Sequence, residues 1–205
     1  MNLDYLKSLV KSGLDSAKSR LDDVAPVANA RKALRELTTQ GATLSEPELT
    51  KAISQTAGVT EMSVTARRGA LQIQASFEDY EPLSCEISVE AIRFAPRGAK
   101  EMIFRVAPEE CASHRGARAV VGTLASLIAG SLWAMVLGPW DGNGDAIVDR
   151  DGPGLFRVDL RSVPSVREAI RKGASAMVID TLMLGDVTAE SETLRLRFRL
   201  PGMIG

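Results

Sequence analysis

The chain is poor in aromatic residues: Phe, Trp and Tyr make up 4% of its 205 residues. Few flat surfaces are left for stacking sugars or single-stranded bases, so no nucleic-acid partner is expected and the core must be aliphatic. Cysteine is scarce, with Cys85 and Cys111 alone. Two thiols in a chain of this length make no disulfide framework and read as reduced, buried side chains of a reducing compartment. Charge of one sign is missing as well. The 25 Lys and Arg stand against 26 Asp and Glu, a net of −1, which gives no global pull toward nucleic acid or an acidic surface. His114 is the single histidine, three residues after Cys111. That spacing can share a helix face, but no orienting third group or oxyanion loop accompanies the pair, so no catalytic residue is assigned and a non-enzymatic protein is expected. Three soft or imidazole ligands in the whole chain argue against zinc, and no cofactor is implied. The opening "MNLDYLKSLVKSGLDSAKSRLDDV" lacks the basic lead, unbroken apolar run and small-residue cleavage site of a secretory signal, so a cytoplasmic location is expected.

What is present is a change of period. Leu3, Leu6, Val10, Ala17, Leu21 and Val24 recur at helical steps, and a second helix is expected from Val27 to Leu37. "LSEPELTKAISQTAG" opens a third, with Ser45 as N-cap, Pro47 in the first turn, Glu48 three residues after the cap and Gly58 beyond the end. From Glu61 the period falls to two. "MSVTA", Arg67, Arg68, Gly69 and "LQIQASF" read as a β-hairpin. Cys85, Ile87, Val89 and Ala91 then alternate until the phase slips to Ile92 and Phe94, which places a β-bulge near Ala91. "EMIFRV" follows with Met102, Phe104 and Val106 inward. Later come a hairpin around Asp151–Gly154, a short helix in "SVPSVREAIRKG", and a closing pair from "AMVIDTLMLGDV" and "TLRLRFRL".

Between these strands lies "AVVGTLASLIAGSLWAMVLGPW", Ala119 to Trp140, without a charged residue. Its 22 residues are long enough to cross a hydrocarbon core of about 30 Å. Three readings stand: a membrane span, a spine buried inside a soluble domain, or a helix facing a partner. Gly122, Thr123, Ser126, Gly130 and Ser131 dilute its apolarity, and a span would leave each half of the strands short of cover. Gly122, Ser126, Gly130 and Ala134 form a smooth ridge, and the bulky side chains occupy the other faces.

Two polar features compete with ordinary surface. "DGNGDAIVD", Asp141 to Asp149, begins like a calcium loop, but Ala146 and Gly152 stand where a glycine and a bidentate glutamate belong. It reads as a turn, and no metal ligand is assigned. Arg195, Arg197 and Arg199 line one face of the last strand and can meet lipid phosphates, or can be balanced by Glu86 and Glu90 on a solvated face.

The order of a capped "LSEPELTKAI" helix, a meander beginning "VTARRGALQIQASF", a long apolar helix, "FRVDLRSVPSVREAI" and a closing strand pair resembles bacterial lipid-binding domains of the TULIP (tubular lipid-binding) type, over roughly Leu44 to Leu200. The resemblance implies a long helix in the hollow of a highly curved sheet with acyl chains between them. The secreted members' signal peptide and lipobox have no counterpart here. The expected fold class is α+β: a curved antiparallel β-sheet of about eight strands wrapped around a long apolar helix. An N-terminal helical segment fills 1–43 and the sheet-and-helix domain 44–205.

The expected function is binding of lipid or another hydrophobic ligand in the groove between helix and sheet. Its lining is assigned to Val121, Leu124, Leu127, Ile128, Leu132, Met135, Met102, Met177 and Met183, because aliphatics and adaptable methionines suit an acyl chain. The same side chains can instead pack together as core. The alternative function is a membrane-anchored or oligomeric interaction protein that uses the 119–140 helix as a span or a partner-packing element. Lys7, Lys11, Lys18 and Arg20 leave a membrane surface open as a further partner of the N-terminal helix, and a homo-oligomer is also open.

Overall fold

The computed structural model describes residues 42–94, 98–137, 146–164, 167 and 183–199, with the backbone alone at 132–137, 183 and 198–199. The expected helices within 1–41, the first part of the Asp141–Asp149 turn and most of the helix expected in "SVPSVREAIRKG" lie outside these residues.

The first element is one the sequence conceals. β1 (Ala42–Ser45) runs directly into α1 (Glu46–Ser54). The expected cap is present: the Glu48 carboxylate accepts from the backbone N–H of Ser45 at 2.8 Å and from its hydroxyl at 2.7 Å. Leu49 and Ile53, one turn apart, are the fully buried side of the helix.

A six-stranded antiparallel sheet follows. β2 (Val59–Arg67) and β3 (Ala70–Phe77) form the expected hairpin, turning through Arg68 and a left-handed Gly69 at φ 91°. β4 (Leu83–Phe94) pairs with β3, and its register with β5 (Lys100–Ala107) shifts between Val89 and Ala91. The bulge therefore sits where the phase slip in the sequence placed it. A 3-10 turn (Glu109–Ser113) leads into α2 (Arg115–Leu137). The chain then enters β6 (Val148–Gly152) and returns as β7 (Leu155–Asp159), which pairs with β5, so the strand order is β2-β3-β4-β5-β7-β6.

The last hairpin does not join this sheet. β8 (Met183–Glu190) and β9 (Thr193–Arg199) pair with each other, and β9 takes β1 as its second neighbour in a three-stranded sheet of order β1-β9-β8. The edges of the large sheet explain why. At β2 the Glu46 carboxylate accepts from the Ala66 N–H at 2.6 Å, and the Ala66 carbonyl accepts from Glu192 at 3.4 Å. At β6, Arg118 donates to the Val148 carbonyl, and Asp149, Arg150 and Asp151 are exposed. Each edge carries such a contact or charged residues, features that disfavour pairing with another strand.

These findings correct the expected fold class. Among the described residues, nine strands form two separate sheets, and no single curved sheet wraps around a helix. The β8 strand lies over β2–β4, and α2 lies over β4–β7, on the same inner face. The apolar spine surrounded on all sides is corrected too. Along α2 the buried residues Ala117, Val120, Val121, Leu124, Ala125, Ile128 and Ala129 make one face, while Arg115, Arg118 and Ala119 are exposed and Thr123, Ser126, Leu127 and Ser131 half-buried on the other. One side meets the sheet and the other is polar or small, as expected of a surface helix. Among the described residues, no helix is long and apolar enough to cross a membrane.

Candidate functional site

Among the described residues, both sheets and α2 converge at a seam under the middle of the helix. Leu71, Ile87 and Phe104 rise from the large sheet, Val187, Ala189 and Leu194 descend from the small one, and Leu124 and Ile128 close the side. Strand alternation puts each set inward, and the helical step from 124 to 128 puts both leucine and isoleucine on one face. Apart from Gly69 and Ser88 the lining is apolar. The space left open is about 10 Å³, room for about one water.

Val121, Leu124, Ile128 and Met102 of the expected lining are buried in one continuous core, and Leu124 and Ile128 reach the seam. Leu127 is half-buried and packs against that core without lining the seam. The side chains of Leu132, Met135, Met177 and Met183 lie outside the described residues. Sequence reasoning missed the opposite wall, Val187, Ala189 and Leu194. The alternation of β9 signals that Leu194 is buried, but nothing local says against what.

The pair Cys111 and His114 is built into the start of α2. The Gly116 N–H donates to His114 Nδ1 at 3.0 Å, so the ring's proton sits on Nε2, which donates to the Glu81 carbonyl at 2.8 Å. The ring is tilted against Phe77 with centroids 5.7 Å apart. Both nitrogens are thus engaged with backbone, and His114 acts as a cap. A Cβ on Gly116 would run into the Phe77 ring, which explains the glycine there. The Cys111 thiol donates to the Ser84 carbonyl at 3.4 Å. Burial pushes the neighbouring Cys85 thiol up to about 12, with Cys111 and Glu86 adding to the effect.

The basic face of β9 is balanced, by partners other than those expected. Arg195 lies 3.6 Å from Glu190, and Arg197 stands opposite Asp186 in the ladder. Glu90 instead pairs with Arg105 at 2.8 Å on the large sheet, which holds its carboxyl below the usual range. Lys100, opposite Phe94, is fully buried with its ammonium 5.6 Å from that ring's centroid.

A second hollow, about 460 Å³ and open to solvent, lies over the outer face of β3 and β4. Gln72, Gln74, Ser84 and Glu86 line it beside Ile73, Cys85, Ala107 and Pro108, and Gln72 donates to Glu86 at 3.1 Å. Polar and apolar groups are mixed over this open surface, whereas the lining of the seam is mostly apolar. Among the described residues, no group of three or more His, Cys, Asp or Glu side chains could hold a metal ion. In comparisons with known proteins, no family model, no curated protein and no solved structure matches this chain.

Proposed function

We propose that the protein binds a lipid acyl chain or a similar hydrophobic ligand, without catalysing a reaction, at the seam between its two sheets. The supporting observation is how the sheets are tied. Gly69 donates to Ala189 at 2.9 Å, Glu192 to Ala66 at 3.4 Å and Ala66 to the Glu46 carboxylate at 2.6 Å. All three bonds gather at the end of the seam near the β2–β3 turn and the start of α1. Away from that end the contact lining the seam is largely apolar and non-directional, so the small sheet can swing from the large one at little cost in hydrogen bonds. The closed seam has no room for a ligand, and entry requires this swing. The two-sheet architecture differs from the hollow that the TULIP resemblance implied, so the proposal rests on the seam. We propose a cytoplasmic location, with Lys7, Lys11 and Lys18 making peripheral contact with an anionic membrane.

The test is mass spectrometry of the organic extract of the purified protein, together with displacement of a fluorescent fatty acid. Retained lipid, and probe binding reduced in Ile128→Trp and Val187→Trp variants that keep their circular dichroism, is the expected result. A folded protein that retains no lipid and takes up no probe would remove the proposal.

A further inference from the structure

The two cysteines, distant in sequence and both free, come together where β4 meets the start of α2. Cys85 is buried in β4, and Cys111 lies half-buried in the 3-10 turn that feeds the helix, packed against the same core. The Cys111 thiol donates to the Ser84 carbonyl at 3.4 Å. That carbonyl belongs to the peptide group joined to Cys85, so standard bond lengths put the Cys111 sulfur within about 6 Å of the Cys85 Cα. Adding the reach of the Cys111 side chain, the two Cα atoms are no more than about 9 Å apart. A disulfide spans Cα atoms up to about 6.8 Å apart, and a shift of the short turn by about 2 Å reaches that range. Burial raises the Cys85 thiol first and Cys111 next, as expected of neighbours within Coulombic reach.

We propose that Cys85 and Cys111 form a reversible disulfide, a redox switch that ties the start of α2 to β4. Access sets the order of events. The half-buried Cys111 meets a peroxide first: its sulfur takes one oxygen of hydrogen peroxide and becomes a sulfenic acid, and the other oxygen leaves with the thiol's proton as water. The Cys85 sulfur then displaces the sulfenic hydroxyl, the S–S bond forms, and the hydroxyl leaves with the Cys85 proton as a second water. Burial shields Cys85 from the oxidant but not from a partner inside the fold, where proximity compensates for a thiol that ionises reluctantly. Two molecules of a small thiol reductant return the bridge to two thiols and are themselves joined as a disulfide. In a reducing compartment such a bridge is transient and senses oxidant, which accords with two thiols that are free at rest. The bridge fixes the turn that His114 caps, so the first turn of α2 is held to the sheet. The inference is independent of the seam and of its ligand.

Treating the full chain with hydrogen peroxide and mapping its peptides without reduction by mass spectrometry tests the switch. The expected product is a single chain in which the Cys85 and Cys111 peptides are joined, and dithiothreitol separates them again. In Cys85→Ala the sulfenic acid of Cys111 has no thiol to meet, so it should persist and be captured by dimedone, whereas the native chain should give little of that adduct. Amide exchange at Gly116 and Ala117 should slow on oxidation and recover on reduction. The proposal is overturned if peroxide carries Cys111 to the sulfinic or sulfonic acid while Cys85 stays reduced, or if bridges form only between chains. It is overturned equally by a bridge that leaves exchange at the start of α2 unchanged.

Discussion

The two cysteines differ in environment although neither is bonded to the other. Cys85 faces inward from β4, opposite Ile73, and is buried, while Cys111 is half-buried at the surface. A thiol held out of water ionises reluctantly, so Cys85 keeps its proton in the fold to about pH 12, above the ordinary 9.0. The unfolded thiol ionises first as the pH rises. Its contribution to stability is therefore complete below pH 9 and is lost as the pH climbs toward 12. We predict that the urea midpoint falls more steeply between about pH 8 and about pH 10.5 in the native chain than in Cys85→Ala, which lacks the group. Equal slopes would show that the thiol is not shielded. The sequence marked both cysteines as reduced and buried, and the structure corrects this for Cys111, which is only half-buried; Cys85 is covered because β4 pairs with β3, a contact between distant residues. His114 shows the same limit. Its spacing from Cys111 suggested chemistry, whereas its role as a cap depends on Glu81 and Phe77, thirty-odd residues earlier in the chain.

Elements made of neighbouring residues were the most legible. The capping box of α1, the turn at Gly69, the hairpin at Gly152 and Gly154 and the bulge in β4 each follow from a short pattern with a local cause. The uncharged stretch misled because charge is not the only way to face water. On α2 the outward stripe is made of Ala119, Thr123, Ser126 and Ser131, small or hydroxylated side chains that a count of charges overlooks. Thr123 Oγ1 lies 2.8 Å from Thr56 Oγ1, and Ser126 accepts from the Ala146 N–H at 3.2 Å. These contacts show a helix with a polar side. Neighbouring positions should then respond differently to a charge. Ile128 is fully buried against both sheets, so Ile128→Asp leaves an unpaired carboxylate in the core, costs several kcal/mol, on the order of 3–5, and should unfold the chain. Leu127 can keep an added carboxylate in water, and Leu127→Asp should stay folded with a loss of about 1 kcal/mol. Equal losses in urea titrations of the two variants would mean that α2 is enclosed on all sides after all.

At the scale of the whole molecule, the division into two sheets was not legible, because it depends on which edges remain free. Alternation announces that β8 and β9 are strands but is silent about their neighbours, and a four-residue β1 carries too little pattern to be seen. The small sheet joins residues from both ends of the described chain: Ala42 pairs with Leu196 and Ser45 with Thr193. The large sheet is built mainly from adjacent hairpins, β2 through β5, closed by β7 and β6. Pairing that spans the chain carries a greater loop-closure cost than pairing across a turn, and the small sheet has only three strands over which to recover it. Among the described residues, its hydrogen-bonded ties to the large sheet lie at one end. These features mark it as a separate opening unit. Native-state hydrogen exchange should therefore show Leu194 and Leu196 of β9 exchanging together with Val187 of β8, at a lower opening free energy than Ile73, Ile87 and Phe104 in the large sheet. An added fatty acid that occupies the seam should raise protection in β8 and β9 and leave the centre of the large sheet unchanged, because ligand binding stabilises the state that holds it. If both sheets exchange through one common opening, the seam cannot open alone, and a ligand could enter only by unfolding the whole domain.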